Sequence, residues 1–175
     1  MKKRFIVLLL CLIGENAMSQ GFYNHVWLLG SYNFLQNLKG RMIFDSTSYV
    51  HTTENRKMPF KGTEATICDP QGNFLMSTNG IWIANANNDT MLNGSGLNPG
   101  TGASSWAFGL PMISNAMFIP FPGDSGKYLL IHHSQEQFGP GYPAFQLYMT
   151  SIDISLDSGL GAVTVKNEII LEDTL

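Results

Sequence analysis

The sequence predicts an all-β protein: a partial β-propeller of about two to three blades of antiparallel strands, with a β-sandwich as the alternative. Three observations carry this. Apolar runs are short and bounded by turn formers throughout the chain. Only 13% of residues are charged, 11% are aromatic and 18 are glycine, which suits pleated ribbons and tight turns better than helices. One plan also recurs: residues 65–79 and 116–134 each read apolar run, Asp/Gly turn, apolar run, with Gly72 and Gly126 54 residues apart. Propeller blades repeat at roughly 40 to 50 residues, so that spacing fits once a long intervening loop is counted.

Taken in order, the elements are these. Residues 28–38 are the best helix candidate, but Gly30 breaks it and Tyr32, Asn33 and Phe34 are poor helix formers. Residues 41–45 and 48–53 read as strands around a short Ser/Thr turn. Residues 64–68 and 73–78 form a hairpin around Asp69-Pro70-Gln71-Gly72, where Pro70 presets φ and Gly72 supplies a positive φ. Asn79-Gly80 turns the chain into a short strand at 81–84. Residues 85–109 read as one long polar loop, because their Asn, Gly and Pro clusters lack the alternation a ladder needs. A loop of that length is the leading candidate for ligand contact, and Asn87, Asn88, Asp89 and Asn93 are its candidate binding residues. Strand 115–121, the turn Pro122-Gly123-Asp124-Ser125-Gly126 and strand 127–133 follow. A second loop, 135–143, precedes the longest strand, 144–154, and the turn at 157–161 leads to a last strand, 163–171. Residues 115–171 thus supply the four hairpin-linked strands of one blade.

The N-terminus reads as an export signal. Lys2, Lys3 and Arg4 precede an apolar stretch, 5–13, far too short to cross a hydrocarbon core of about 30 Å. Ala17-Met18-Ser19 places small residues for cleavage after Ser19, making Gln20 the new N-terminus. Cys11 lies inside the apolar stretch behind Leu9-Leu10, which does not suit a lipid-attachment site. The organisation expected is therefore a signal peptide, 1–19, and a propeller-like domain, 20–175. The chain holds 10 basic and 13 acidic residues; three of the former and one of the latter fall in 1–19, so the mature net charge is −5. That surface argues against nucleic acid and anionic membrane as partners, and no other segment reaches membrane-spanning length. Cys68 is the one cysteine after the signal, so an internal disulfide is excluded and the fold must rest on its apolar core.

The chemistry-bearing residues do not assemble into a known catalytic set. The histidines are His25, His51, His132 and His133, without the tight spacing a metal site uses. His132 and His133 are adjacent, so on a strand they face opposite sides. No Gly-x-Ser-x-Gly elbow is present. Cys68 ends an apolar strand with no neighbouring base, which reads as a buried structural thiol. Asp69, Asp124 and Asp157 sit in Gly-containing turns, where their side chains bond their own backbone. No metal is assigned. The 87–94 segment superficially resembles a calcium loop but lacks the alternating acids and terminal Glu of an EF-hand, so calcium remains only as a non-standard alternative. Trp82, Trp106, Phe108, Phe138, Tyr142 and Phe145 either pack the core or stack on sugar rings, and alternation does not choose which way Trp82 faces.

Several segments carry a resemblance. Trp27-Leu28-Leu29-Gly30, Ile43-Phe44, Cys68-Asp69-Pro70-Gln71-Gly72-Asn73 and Thr78-Asn79-Gly80-Ile81-Trp82-Ile83-Ala84-Asn85 occur in this order. Asn88-Asp89-Thr90-Met91-Leu92-Asn93-Gly94, Gly96-Leu97-Asn98 and Pro122-Gly123-Asp124-Ser125 follow. Over nearly the whole mature chain this resembles the N-terminal region of large secreted bacterial proteins that carry propeller-like β repeats and end in a type IX secretion sorting domain. The resemblance implies a Gram-negative cell-surface or secreted location and supplies no catalytic residues. Where such proteins have a Tyr pair after the Pro-Gly-Asp turn, this chain has Tyr128-Leu129. Later repeats and the sorting domain are absent from the sequence, so sorting rests on the resemblance alone. With two or three blades against the roughly 4 to 8 of a closed ring, the expectation is an N-terminal piece of a longer protein. The function expected is non-enzymatic adhesion or binding of an extracellular glycan or protein. The alternatives are part of a carbohydrate-active propeller enzyme completed by further blades, and a structural spacer.

Overall fold

The computed structural model describes residues 21–30, 38–136 and 143–173. The export segment with Ser19 and Gln20 lies outside them, as do Phe138 and Tyr142. Eleven strands form two sheets among the described residues. The smaller is an antiparallel ribbon of β1 (Val26–Leu28), β2 (Leu38–Phe44) and β3 (Tyr49–Asn55). The larger has eight strands in two antiparallel meanders. The first runs β4 (Ala65–Cys68), β5 (Phe74–Thr78), β6 (Trp82–Ala84) and β7 (Thr90–Ser95). The second runs β8 (Ala116–Pro120), β9 (Lys127–His133), β10 (Gln146–Asp153) and β11 (Ala162–Glu172). The last strands of the meanders meet in parallel at Ala162 opposite Leu92. The first strands, β4 and β8, touch at the other end, so the sheet comes close to closing as a barrel. The all-β expectation stands at that level, and the recurring segments 65–79 and 116–134 are the opening hairpins of the two meanders.

Turn chemistry explains those hairpins. The Asp69 carboxylate accepts the backbone N–H groups of Gln71 (2.9 Å) and Asn73 (2.8 Å), and Gly72 adopts φ +89°. Asp124 plays the same part in the second meander, accepting from the Gly126 N–H at 3.0 Å. Alternation then sets the faces. Tyr128, Leu130 and His132 of β9 and Tyr148, Thr150 and Ile152 of β10 all point inward. Ile67, Met76, Ile83 and Met91 of the first meander meet Phe118, Leu130, Ile152 and Val163 of the second in one core. A second core seats the ribbon: Val26 and Leu28 pack with Met58, Phe60, Cys68 and Ala84.

The segment 85–109 departs from the single loop expected. It contains β7 and a short helix, α1 (Thr101–Ser105). Only Met91 and Leu97 give this stretch buried apolar anchors, so its alternation is invisible in the sequence. Asparagines supply what apolar residues do not: Asn88, Asn93 and Asn98 take positive φ, and Asn93 Nδ2 donates to the Val163 carbonyl of β11 at 3.0 Å. β1 was not expected either, being three residues long.

One polar chain crosses the inside of the large sheet. Asn98 Nδ2 donates to the Gly80 carbonyl at 2.7 Å, which leaves its Oδ1 to accept from His132 Nδ1–H at 2.7 Å. His132 Nε2 is then the acceptor for the Thr150 hydroxyl at 2.9 Å, and that hydroxyl accepts the Asn167 N–H at 3.1 Å. Asn167 in turn holds the Gly96 carbonyl and the Asn98 N–H. Every donor finds an acceptor with a single neutral tautomer of His132. Burial, aided by His133, pushes the His132 imidazole down to about 4. Its ordinary value is near 6.5, so between those two pH values the unfolded chain takes a proton that the folded chain refuses. Stability is therefore full above pH 6.5 and is lost as pH falls towards 4. Urea unfolding of the wild type should show about 2 kcal/mol less stability at pH 5 than at pH 7.5, and His132→Gln should flatten most of that slope.

Candidate functional site

The described residues leave three open depressions of similar size around the three-stranded ribbon. The first, of about 350 Å³, is bordered by Asn55, Arg56, Lys57, Asn87 and Asn88. Two sequence-derived candidates, Asn87 and Asn88, therefore line a depression. Their turn is tightly self-bonded: Asn85 Oδ1 accepts the N–H groups of Asn87 (3.0 Å) and Asp89 (3.2 Å). Asp89 pairs with Lys57, both well exposed. Asn93 is not brought to this group. It lies on β7, and its amide is engaged by Val163 and by Lys166 Nζ at 3.0 Å. The four candidates thus split between a turn and a strand. Among the described residues no three His, Cys, Asp or Glu side chains gather as a metal cluster.

The other two depressions flank His25. One, of about 320 Å³, is walled by His25, Arg41, Ile43, Asn73 and Phe74. The other, of about 310 Å³, is walled by Phe22, Asn24, His25, Phe44 and Asp45. Local structure places each wall. The chain before β1 is strapped to the first hairpin by Phe22 N–H to Pro70 O (3.1 Å) and Cys68 N–H to Tyr23 O (2.9 Å). That strap lays the His25 ring over Gly72, where a Cβ would come within 3.0 Å of the imidazole. Only glycine leaves the ring this position, and its positive φ suits it to the turn as well. Arg41 and Ile43 come from β2, and Phe44 follows on its opposite face. Phe44 packs edge-on to Trp27 at 5.0 Å and leans on Tyr49 at 6.3 Å, giving the outer face of the ribbon an aromatic row.

Charge in this region is organised around Glu54. Its Oε1 accepts from Arg56 Nη1 at 2.8 Å and its Oε2 from Arg41 Nη1 at 3.0 Å. Arg56 is buried and spends its remaining donors on the carbonyls of Leu29 and Met58, with its guanidinium 5.0 Å from the Phe60 ring. Lys39 Nζ adds a bond to the Arg56 carbonyl at 2.8 Å. Burial and the Arg56 charge depress Lys39, while burial raises the carboxyl of Glu64. Arg56 is thus a structural cation, the peg joining ribbon to sheet. Arg41 is different. Its one hydrogen bond among the described residues goes to Glu54, its Nε is buried without a partner, and its guanidinium lies 5.9 Å from the Phe74 ring. His25 Nδ1 is likewise buried without a partner.

Sequence reading did not find this group. Its members span residues 22 to 74, and their only local signal was the Asp69–Gly72 turn. The remaining sequence candidates settle as follows. Cys68 is fully buried and burial raises its thiol, leaving no reactive thiolate at neutral pH. Ile83 turns into the core, which leaves Trp82 half-buried on the other side of β6. No helix among the described residues is long and apolar enough to cross a membrane. Comparison with family models, curated proteins and solved structures finds no match for this chain.

Glu54 holds two cations, one of them fully buried. Glu54→Gln should cost about 3 kcal/mol in urea unfolding, because Arg56 is left buried without its countercharge.

Proposed function

We propose that this chain is an exported, non-enzymatic binding module of β-propeller type that holds an extracellular glycan on its ribbon face. The observation that carries the binding reading is the pair of ring-sized depressions sharing His25, lined by aromatic rings together with amide, imidazole and guanidinium groups. Sites for small ligands combine apolar walls with a few converging polar groups in this way. The propeller reading is supported by the two four-stranded antiparallel meanders, each with the strand count of one blade, whereas their joining into one nearly closed sheet is a barrel-like feature. Export is supported by the Lys2-Lys3-Arg4 start and the apolar stretch behind it. Type IX sorting is supported only by the resemblance.

The test is a glycan array probed with the full chain, paired with a reducing-end assay on every glycan retained. Selective retention without new reducing ends is expected. Silence across the array would overturn the glycan reading, and hydrolysis of a retained glycan would move the protein to the carbohydrate-active class.

A further inference from the structure

We propose that the two hollows beside His25 are adjoining subsites for an acidic oligosaccharide. The Arg41 hollow takes a carboxylate-bearing sugar and the Phe22–Phe44 hollow takes its neighbour. This rests on the glycan-binding reading above and specifies its chemistry.

The carboxylate follows from what Arg41 lacks. One N–H of its Nη1 goes to Glu54, its Nε is closed off from solvent, and its Nη2 makes no hydrogen bond among the described residues. The Nη1–Nη2 end of a guanidinium presents two parallel N–H groups, which match the two oxygens of a carboxylate. Glu54 does not neutralise the group, since it is shared with Arg56 at 2.8 Å. Asp69, at the foot of the same turn, is occupied: Oδ1 takes the N–H groups of Gln71 and Asn73, and Oδ2 takes Asn73 Nδ2 at 2.9 Å. An arriving carboxylate gives Arg41 the bidentate partner that its own chain does not supply.

The sugar follows from the rest of the wall. Ile43 and Phe74 form an apolar side, and His25 and Asn73 a polar one. Asn73 spends its NH₂ on Asp69, so its carbonyl oxygen is left to accept from a hydroxyl. A pyranose ring presents C–H faces and a hydroxyl rim, which meets both sides at once. An acidic peptide side chain would engage Arg41 alone and leave the apolar side wet. The second hollow gives the ligand its length. It shares the His25 ring, which stands edge-on to Phe22 at 6.0 Å, and it adds Phe44, Asn24 and Asp45, whose carboxylate is occupied by the N–H and hydroxyl groups of Thr47 and Ser48. Two hollows of about 320 and 310 Å³ sharing one ring suit consecutive sugars better than a single larger molecule.

The experiment is isothermal titration of the full chain with trigalacturonate, with a neutral galactose trisaccharide and with triglutamate. Saturable binding of trigalacturonate alone is expected. Arg41→Gln should weaken it at least tenfold, and Phe44→Ala several-fold. Arg41→Lys keeps the charge beside Glu54 but not the fork, so it should fold normally and still bind at least fivefold more weakly. The proposal is overturned if trigalacturonate does not bind, if the neutral trisaccharide or triglutamate binds as tightly, or if Arg41→Lys binds like wild type. Failure here with another glycan retained on the array removes only the acidic-sugar assignment; silence in both removes the glycan reading as well.

Discussion

The fold turns on how two meanders are joined where their ladders do not meet. β7 and β11 share a single parallel pairing, Ala162 with Leu92, which is too little backbone to hold an eight-strand sheet together. Side chains take over at that seam. Asn93 reaches the Val163 carbonyl, Lys166 reaches the Ser95 carbonyl, and Asn167 reaches Gly96. Behind them the Asn98–His132–Thr150 chain ties the loop after β7 to the middle of the second meander. The bonds of the Asn98–His132–Thr150 chain are buried, so an unmade one there costs far more than a made one gains. The apolar core draws the meanders together without direction. The polar seam selects the register in which they meet.

That division of labour explains what could be read from the residues. Hairpins built on Asp69 and Asp124 were visible, since turn chemistry is local and each Asp bonds residues two to four positions on. Strand 127–133 was visible because its alternation buries Tyr128, Leu130 and His132 in turn. β7 was hidden because it has a single buried apolar side chain, Met91, and is flanked and interrupted by Asn88, Asn93 and Asn98 at positive φ, residues that announce a loop. The opposite facing of His132 and His133 followed from strand geometry. The acceptor and donor roles of His132 did not, because Asn98 and Thr150 lie 34 and 18 residues away in the chain.

The ribbon shows the same limit. Nothing local in the sequence separates Arg41 from Arg56; burial and partners do. Arg56 is buried, bonds Glu54 and two carbonyls, and anchors the ribbon to the second core. Arg41 shares the same carboxylate but faces a hollow. The long Asn-rich segment drew attention as a loop, yet much of its polarity is consumed internally, in the Asn85 turn and the β7–β11 seam. Polar richness in a sequence does not distinguish groups offered to solvent from groups that replace a missing ladder.

The placement of His25 carries a thermodynamic consequence. His25 borders both hollows, so a rotamer it adopts towards one is imposed on the other. For the proposed two-subsite ligand, occupancies of the two sides are then linked, and the free energies of two single-site ligands will not sum to that of the molecule that fills both. Gly72 lies against the same ring, where an added Cβ would press on it at 3.0 Å and shift the wall common to both hollows.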